Sequence, residues 1–180
     1  MRYLTLITAL IITTTIHAAE NTIEDSDNTS FNKHTYGVSL GLGYAANHLS
    51  RDDDTGIGYT DIFYEYHLNK NFSFNGKYYS ATTDRAPDVY FDTNGLQLSF
   101  KAKTTFTSRF SAYGRFGANI HNVDQASGGN NRDDKGIGIA AATGIEFNAD
   151  NGFTSAVEFQ YLPMDFFDSY SLNFSVGYSF

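Results

Sequence analysis

Apolar and polar residues alternate with a period of two along most of the chain. In the C-terminal segment, large apolar residues occupy every second position and small or polar residues lie between them. The apolar set is Leu172, Phe174, Val176, Tyr178 and Phe180. Because successive side chains of a β-strand point to opposite faces, this pattern predicts a strand with two different environments on its two sides.

The same alternation recurs in seven earlier segments. Together with 171–180, the predicted strands are 36–46, 57–68, 71–80, 93–103, 108–120, 136–147 and 152–162. The short connections are 69–70, 104–107 and 148–151, and the longer ones are 47–56, 81–92, 121–135 and 163–169. Short turns at one rim and longer loops at the other are typical of an up-and-down antiparallel barrel.

Alternation fits a soluble barrel with an apolar interior, such as a lipocalin, or a membrane barrel with an apolar exterior. The polar positions hold mainly Gly, Ser, Ala and Asn, which suit a narrow filled interior. Tyr and Phe at the strand ends suit aromatic girdles at two membrane interfaces. We therefore predict an all-β fold, an eight-stranded antiparallel up-and-down transmembrane β-barrel.

Two further segments precede the barrel. A basic start, an apolar stretch from Leu4 to Ile16 and small residues up to Ala19 predict a signal peptide over residues 1–19. Residues 20–35 are polar and lack periodicity, which indicates a flexible N-terminal segment. The barrel domain is predicted to cover residues 36–180.

Composition narrows the functional classes. The 180 residues carry 12 Lys+Arg and 20 Asp+Glu, a formal net charge of −8, which argues against nucleic-acid binding. The absence of Cys excludes disulfides and a thiolate nucleophile. Most acidic residues fall in the predicted outer loops, so these loops should form an acidic surface.

Charged residues on the polar phase should lie in the lumen and pair there, since an unpaired buried ion is costly. The predicted lumen charge network is Asp61, Glu65, Lys77, Lys101, Arg115, Glu146 and Glu158. Lys103 and Arg109 fall on the same phase. Because eight strands leave room only for side chains, we interpret the network as a structural plug, with an ion path as the alternative.

Acidic near-repeats precede the second and sixth strands, in residues 51–58 and 132–138. Clustered carboxylates suit Ca²⁺ or Mg²⁺, so the candidate metal ligands are Asp52, Asp53, Asp54, Asp133 and Asp134. Neither run has EF-hand spacing. The favoured interpretation is therefore a solvated rim, with neither metal nor cofactor.

The segment Leu172–Phe180 resembles the C-terminal signal of bacterial outer-membrane proteins, which the barrel assembly machinery binds. The segments 97–103, 112–117 and 142–147 resemble strands of the OmpA transmembrane domain and related small barrels. The resemblance covers residues 36–180. It implies export to the outer membrane of a Gram-negative cell. No peptidoglycan-binding domain follows Phe180 in this sequence, so wall anchoring is not expected.

The resemblance also concerns the barrel interior. Lys101, Arg115 and Glu146 match charged residues of the OmpA lumen, whereas Asn75 replaces an acid and Ala156 an arginine. The gating salt bridge proposed for that protein is therefore not expected here.

Some barrels of this size are lipid A-modifying enzymes, and the deacylases among them use a His-x-Ser pair. His48-Leu49-Ser50 has that spacing but lies in the first outer loop, and His121 is not followed by Ser. We predict no catalytic residues and no enzyme. The predicted function is a structural or surface-interaction role, and the alternatives are a small ion-conducting pore or a lipid A-modifying enzyme.

The predicted partners follow from this role. They are outer-membrane lipid, lipopolysaccharide, the barrel assembly machinery and a host or surface ligand at the loops. The barrel should act as a monomer.

Overall fold

A computed structural model shows eight antiparallel strands joined in chain order into a closed barrel, with the last strand paired to the first. The structure describes residues 32–47, 55–83, 89–127, 130–164 and 167–180. The strands are β1 (His34–Asn47), β2 (Thr55–His67), β3 (Phe72–Thr83), β4 (Val89–Thr105), β5 (Phe110–Ser127), β6 (Asn130–Asn148), β7 (Phe153–Pro163) and β8 (Phe167–Ser179). The predicted signal peptide and most of the N-terminal segment lie outside the described residues.

The strand register keeps the apolar and polar phases apart around the barrel. Val38 pairs with Ile62 and Val176, whereas Ser39 pairs with Asp61. The apolar phase faces outward: Val38 is 50% exposed and Ile62 is 61% exposed, while Asp61 is buried. An exposed apolar belt around a polar interior is the arrangement of a membrane barrel, and it excludes the lipocalin-like alternative.

No helix among the described residues is long and apolar enough to cross a membrane.

Most strands are longer than the alternation predicts, β4, β5 and β6 by the most, and β8 begins at Phe167 inside the predicted loop 163–169. The segments 81–92 and 121–135 were predicted as loops, but β4 begins at Val89 and only residues 128–129 separate β5 from β6. The outer halves of these strands contain Asn, Asp and Gln. The apolar residues therefore no longer alternate there, although the backbone pairing between the strands continues. Since about 9–11 residues of a strand cross a bilayer, the 18 residues of β5 and 19 of β6 extend beyond it.

β1 also begins earlier than the pattern predicts. His34 lies in the segment predicted to be flexible, yet its backbone N–H donates to the Phe180 carbonyl at 3.2 Å, and the Phe180 N–H donates to the His34 carbonyl at 2.9 Å. Because the side chains of this segment are polar, the alternation does not predict that a strand begins here. The backbone hydrogen bonds to Phe180 stabilise this start of β1.

Compact turns join the strands at the rim where β1 begins and β8 ends. In the β2–β3 turn, the Asn69 side chain accepts hydrogen bonds from the backbone N–H groups of Asn71 and Phe72, both at 2.9 Å. In the β6–β7 turn, Gly152 has a φ of 87°, which a residue with a side chain rarely adopts. In outer-membrane barrels the short-turn rim faces the periplasm.

We expect Gly117→Ala to lower the free energy of unfolding by about 1–3 kcal/mol, as overpacking does. A Cβ at this position would lie 2.0 Å from the Leu98 carbonyl oxygen and 2.5 Å from the Ser99 Cα, so backbone would have to move. Gly76→Ala is the matched control, because its Cβ would meet only a Leu98 methyl at 3.7 Å. Urea unfolding in phospholipid vesicles measures the free energy of unfolding of both variants. An equal loss of stability in the two variants would contradict the packing argument.

Candidate functional site

The centre of the lumen is a two-point ion pair between Arg115 and Glu158. The guanidinium donates from Nε to Glu158 Oε2 at 2.8 Å and from Nη2 to Oε1 at 2.6 Å. It also donates to the side-chain oxygens of Gln97 at 3.2 Å and Gln160 at 2.6 Å. Both ions are buried, and such a well-oriented pair with further hydrogen bonds offsets the cost of removing the charges from water.

Lys77 extends this central cluster towards β2. Its ammonium lies 3.3 Å from Glu158 Oε1 and 3.4 Å from Asp61 Oδ2. The Ser39 hydroxyl donates to the same Asp61 oxygen. Two acids and two bases from four strands therefore form one neutral cluster.

A second cluster lies nearer the short-turn rim. The Lys101 ammonium lies 3.0 Å from Glu65 Oε2 and also contacts Glu146. Lys103 is 3.0 Å from the other oxygen of Glu146, and the Ser73 hydroxyl donates to Glu65 at 2.6 Å. Again two acids neutralise two bases.

The structure brings all seven residues of the predicted lumen network into these two clusters, together with Lys103. Arg109 is different, because it lies in the turn before β5, where its side chain is 54% exposed and bonds Asp150 at 2.8 Å. Its assignment to the lumen was wrong, since the alternation does not extend into the turn residues.

Interior aromatic residues are the part of the lumen that sequence reasoning missed. The Tyr113 hydroxyl donates to Glu158 Oε2 at 3.0 Å, and the Lys101 ammonium lies 4.3 Å from the centre of the Tyr113 ring. Tyr113 joins the two clusters through these contacts. The available signal was its position among polar residues, out of phase with the apolar residues of β5.

The outer half of the lumen holds a cluster of buried apolar and aromatic side chains among polar ones such as Thr93, Asn119 and His121. The side chains of this cluster form a plug, namely Ala45, Ile57, Tyr59, Tyr79, Ala81, Val123, Ala140, Leu162, Met164 and Phe167. The Tyr79 hydroxyl donates to Asn119 Oδ1 at 3.0 Å, and the Tyr59 hydroxyl bonds Ser169. These hydrogen bonds hold the two large rings across the barrel. The alternation predicts a lumen that is polar throughout. This prediction is correct only for the half near the short turns.

A cavity of about 290 Å³ opens at the short-turn rim. Lys70 and Asp150 line its mouth, and Arg115 and Glu158 lie among its deeper lining residues. None of the plug residues lines it. The cavity is thus a polar recess below the plug.

The outer wall carries the residues of the predicted assembly signal. Leu172, Phe174, Tyr178 and Phe180 are exposed on it, and Val176 is half-buried. The Phe180 ring stacks on His34 with ring centres 5.5 Å apart. The C-terminal aromatic therefore belongs to the girdle of rings at the short-turn rim.

The outer parts of β4, β5 and β6 form a projecting sheet. The register aligns Asp92 with Asp124, and Asp124 with Asp133. We name these three residues the acid row. Like charges directly opposite one another on a sheet are destabilising, so the acid row costs stability and exposes a dense negative charge to solvent.

The candidate metal ligands lie in or near this region. Asp133 belongs to the acid row, while Asp52, Asp53 and Asp54 and the side chain of Asp134 lie outside the described residues. In the described part of the chain, no group of three or more His, Cys, Asp or Glu residues is placed to hold a metal ion.

The carboxyl group of Asp124 makes the stability of the projecting sheet depend on pH. Reduced hydration and the neighbouring charges of Asp133 and Asp92 raise the pKa of the Asp124 carboxyl. A carboxyl whose folded-state pKa is raised binds more protons when folded, so its repulsion is relieved as the pH falls through that pKa.

We therefore expect Asp124→Asn to raise the thermal unfolding midpoint at neutral pH and low salt. The gain should vanish below about pH 4, where the unfolded carboxyl also protonates, and shrink in high salt. Asp150→Asn is the control, because Asp150 bonds Arg109 and its loss should not stabilise. A gain that persists at acid pH would contradict the electrostatic cause.

The residues considered for catalysis are not assembled within the described chain. His48, Leu49 and Ser50 lie outside it. His121 points into the lumen, where it is buried and its Nδ1 lies 3.2 Å from the Asn119 amide nitrogen.

A closed barrel with an apolar outer belt, aromatic girdles and a paired polar interior defines the class of transmembrane β-barrels. The chain matches the outer membrane protein beta-barrel domain family over residues 6–180, and it belongs to that family. No curated protein matches it significantly in sequence.

Solved structures of small outer-membrane barrels share the fold. Ail, the attachment invasion locus protein of Yersinia pestis, is 15% identical with a TM-score of 0.63, over 84% of this chain and 100% of that one. Neisserial surface protein A, NspA, is 16% identical with a TM-score of 0.70, over 82% of this chain and 97% of that one. Ail has also been solved with the heparin analogue sucrose octasulfate.

The outer membrane enzyme PagL has the same architecture. It is 12% identical with a TM-score of 0.52, over 77% of this chain and 97% of that one. At such low identities the likeness concerns the fold alone, since one fold carries many functions.

Proposed function

We propose that the protein is a monomeric outer-membrane barrel whose projecting β4–β6 sheet binds a surface ligand, while its paired and plugged lumen is structural. The observation that carries the proposal is the extension of three strands beyond the apolar belt, ending in the acid row. A barrel that serves only as a membrane anchor needs no strands that extend beyond its apolar belt.

The charge of the sheet indicates the chemistry of the ligand. A surface with three aligned carboxylates attracts cationic groups and repels polyanions. The sulfated ligand in the Ail complex is therefore a poor guide to the ligand of this chain. We expect a basic peptide or protein surface of a host or neighbouring cell.

Two other roles complete the proposal. The signal peptide directs export, and the C-terminal strand ending at Phe180 directs insertion by the barrel assembly machinery. Support for the second role is the outward position of Phe180 beside His34 at the periplasmic rim. Outer-membrane lipid and lipopolysaccharide contact the belt of the closed barrel.

The alternatives find less support. The apolar plug argues against a small ion-conducting pore, because buried side chains that include the rings of Tyr59 and Tyr79 occupy the outer half of the lumen and none of them lines the polar recess. A lipid A-modifying enzyme needs a nucleophile and a base in contact, and His121 lacks a following serine.

Shortening the β5–β6 hairpin separates a surface-interaction role from a purely structural one. Val123 pairs with Asp134, so replacing residues 124–133 by Asn-Gly retains this pair and the plug residue Val123 and closes the hairpin with a favoured two-residue turn. We expect cells that display the variant to lose binding to a cationic peptide surface, by about tenfold or more, while barrel content in the membrane is unchanged.

Unheated gel mobility verifies that the variant barrel is folded. Undiminished binding by the shortened variant, together with detergent sensitivity of the cells, would instead favour the purely structural role.

A further inference from the structure

We propose that the polar recess at the short-turn rim binds one hexopyranose ring, a neutral polyhydroxylated solute that enters from the periplasm. The site consists of the Phe63 and Tyr113 rings together with the Asn75 amide. Sugar binding there adds to the structural role of the charge clusters and does not depend on the surface ligand proposed above.

Short side chains on one side of the lumen leave the space for the recess. The register aligns Ser39, Ser175 and Ala156 across β1, β8 and β7, and all three line the recess. The other side of the lumen carries long side chains, among them Lys101 and Arg115. The space of about 290 Å³ therefore lies between a wall of small residues and the ion pairs opposite it.

Phe63 places an apolar ring in this polar recess. It lies on the inward phase of β2, between Asp61 and Glu65, and lines the recess. A Cβ at Gly37 would lie 2.5 Å from the Phe63 ring, and a Cβ at Gly177 would lie 3.2 Å from it. Because a side chain at Gly37 would collide with the ring, this glycine lets the ring lie against the wall of the recess.

A second ring, that of Tyr113, lines the recess from β5. A pyranose has apolar C–H faces and a rim of hydroxyl groups. Ring surfaces beside hydrogen-bonding groups therefore suit a pyranose, whereas a small ion gains nothing from contact with apolar surface.

Buried amides of the recess supply hydrogen-bond acceptors. Asn75 and Asn173 line the recess and are only 7% and 2% exposed. The Oδ1 atom of each has no hydrogen-bond partner among the described residues. A buried acceptor without a partner is costly, and a hydroxyl group in the recess would remove this cost by donating to Asn75.

The pairing of charges favours a neutral occupant. Apart from Lys70 at the mouth, each Lys, Arg, Asp and Glu that lines the recess is held in one of the ion pairs described above. An ion or a zwitterion would have to compete with these pairs, whereas a hydroxyl both donates and accepts hydrogen bonds without breaking them. A volume of about 290 Å³ is at the lower end for ligand pockets and suits one sugar ring.

The position of the recess limits the source of its ligand. Its mouth, with Lys70 and Asp150, lies at the short-turn rim, and none of the plug residues lines it. The sugar therefore enters from the periplasm and returns there, so the recess is a binding site and not a route across the membrane.

The test is ¹H–¹⁵N NMR of the mature chain, refolded in phospholipid nanodiscs and titrated with glucose. We expect the side-chain amide resonances of Asn75 to shift saturably with a Kd of about 1–10 mM, the affinity that a few modest hydrogen bonds supply. Sorbitol should bind about fivefold more weakly, because this open chain lacks an apolar ring face and loses more conformational freedom. The zwitterion glycine should give no saturable shift.

Two results would overturn the proposal at this stage. One is a linear shift with every solute, as expected of a recess that holds only water. The other is saturable binding of glucose and sorbitol, or of glucose and glycine, with equal affinity.

The Asn75→Ala variant separates binding from structure. The Asn75 Oδ1 has no partner to lose, so the free energy of unfolding and the unheated gel mobility should be unchanged. Glucose affinity, followed by backbone amide resonances of β3, should fall about tenfold through loss of a buried hydrogen bond. Phe63→Leu keeps an apolar side chain beside Gly37 but removes the ring, and it should abolish the preference for glucose over sorbitol.

The matched control is Ser99→Ala. Ser99 pairs with Asn75 in the register and is buried, but it does not line the recess. Its glucose affinity should equal that of the natural chain. Undiminished glucose binding by a folded Asn75→Ala variant, or an equal loss in Ser99→Ala, would overturn the proposal.

Discussion

Replacing Arg115 by methionine is expected to lower the free energy of unfolding by about 3–5 kcal/mol, the usual cost of leaving a buried charge without its partner. The guanidinium makes two hydrogen bonds to Glu158 and reaches both Gln97 and Gln160. Methionine fills a similar volume but leaves the Glu158 carboxylate with only Lys77 at 3.3 Å and the Tyr113 hydroxyl at 3.0 Å.

Arg109→Met is the matched control for this prediction. Arg109 also bonds a carboxylate, that of Asp150, but the pair is exposed and should contribute about 1 kcal/mol or less. The double variant Arg115→Met with Glu158→Gln should recover part of the loss, because the uncompensated charge is gone.

Urea unfolding in phospholipid vesicles, followed by the mobility of unheated samples on gels, measures all three variants. Similar losses for Arg109→Met and Arg115→Met would show that burial of the central pair does not govern stability.

Removing the plug is expected to have the second largest effect. Phe167→Ala should cost about 3–5 kcal/mol, since Phe167 is fully buried and its deletion leaves a cavity among Leu162, Met164 and their neighbours. Combined with Tyr79→Ala, it removes two of the largest plug side chains and should connect the polar recess to the outer rim.

Planar-bilayer recording is the measurement for the plug. The natural chain should give no stable open state, and the double variant should give brief openings. Phe159→Ala is the control, because Phe159 faces lipid and its truncation should open nothing. Large, steady conductance of the natural chain would contradict the role assigned to the plug.

The two sets of variants address different halves of the lumen. Near the short turns, stability depends on pairing ions in a confined polar space. Near the outer rim, it depends on packed apolar and aromatic side chains. We therefore propose that the plug closes the barrel to ions and that the charge clusters below it hold its shape.

The sequence by itself determined the strand number, the barrel class and most of the charges in the lumen, with Arg109 as the exception. A period of two is a local property of each strand, and closure into a barrel follows once eight such strands must shield their edges. Asp61 and Glu158 could be assigned to the interior for the same reason, because each lies on the polar phase of a strand.

Only the tertiary structure decided which charges meet, where the strands end and what closes the lumen. Arg115 and Glu158 are on strands separated by β6, so their pairing depends on barrel curvature rather than on chain proximity. Tyr59, Tyr79 and Tyr113 lie on the inward phase of their strands, but that the lumen has space for their rings depends on how the strands close into a barrel. The alternation did not predict the projecting sheet because polar residues occupy the outward face of its strands, and its acid row exists only through the register that aligns β4 to β6.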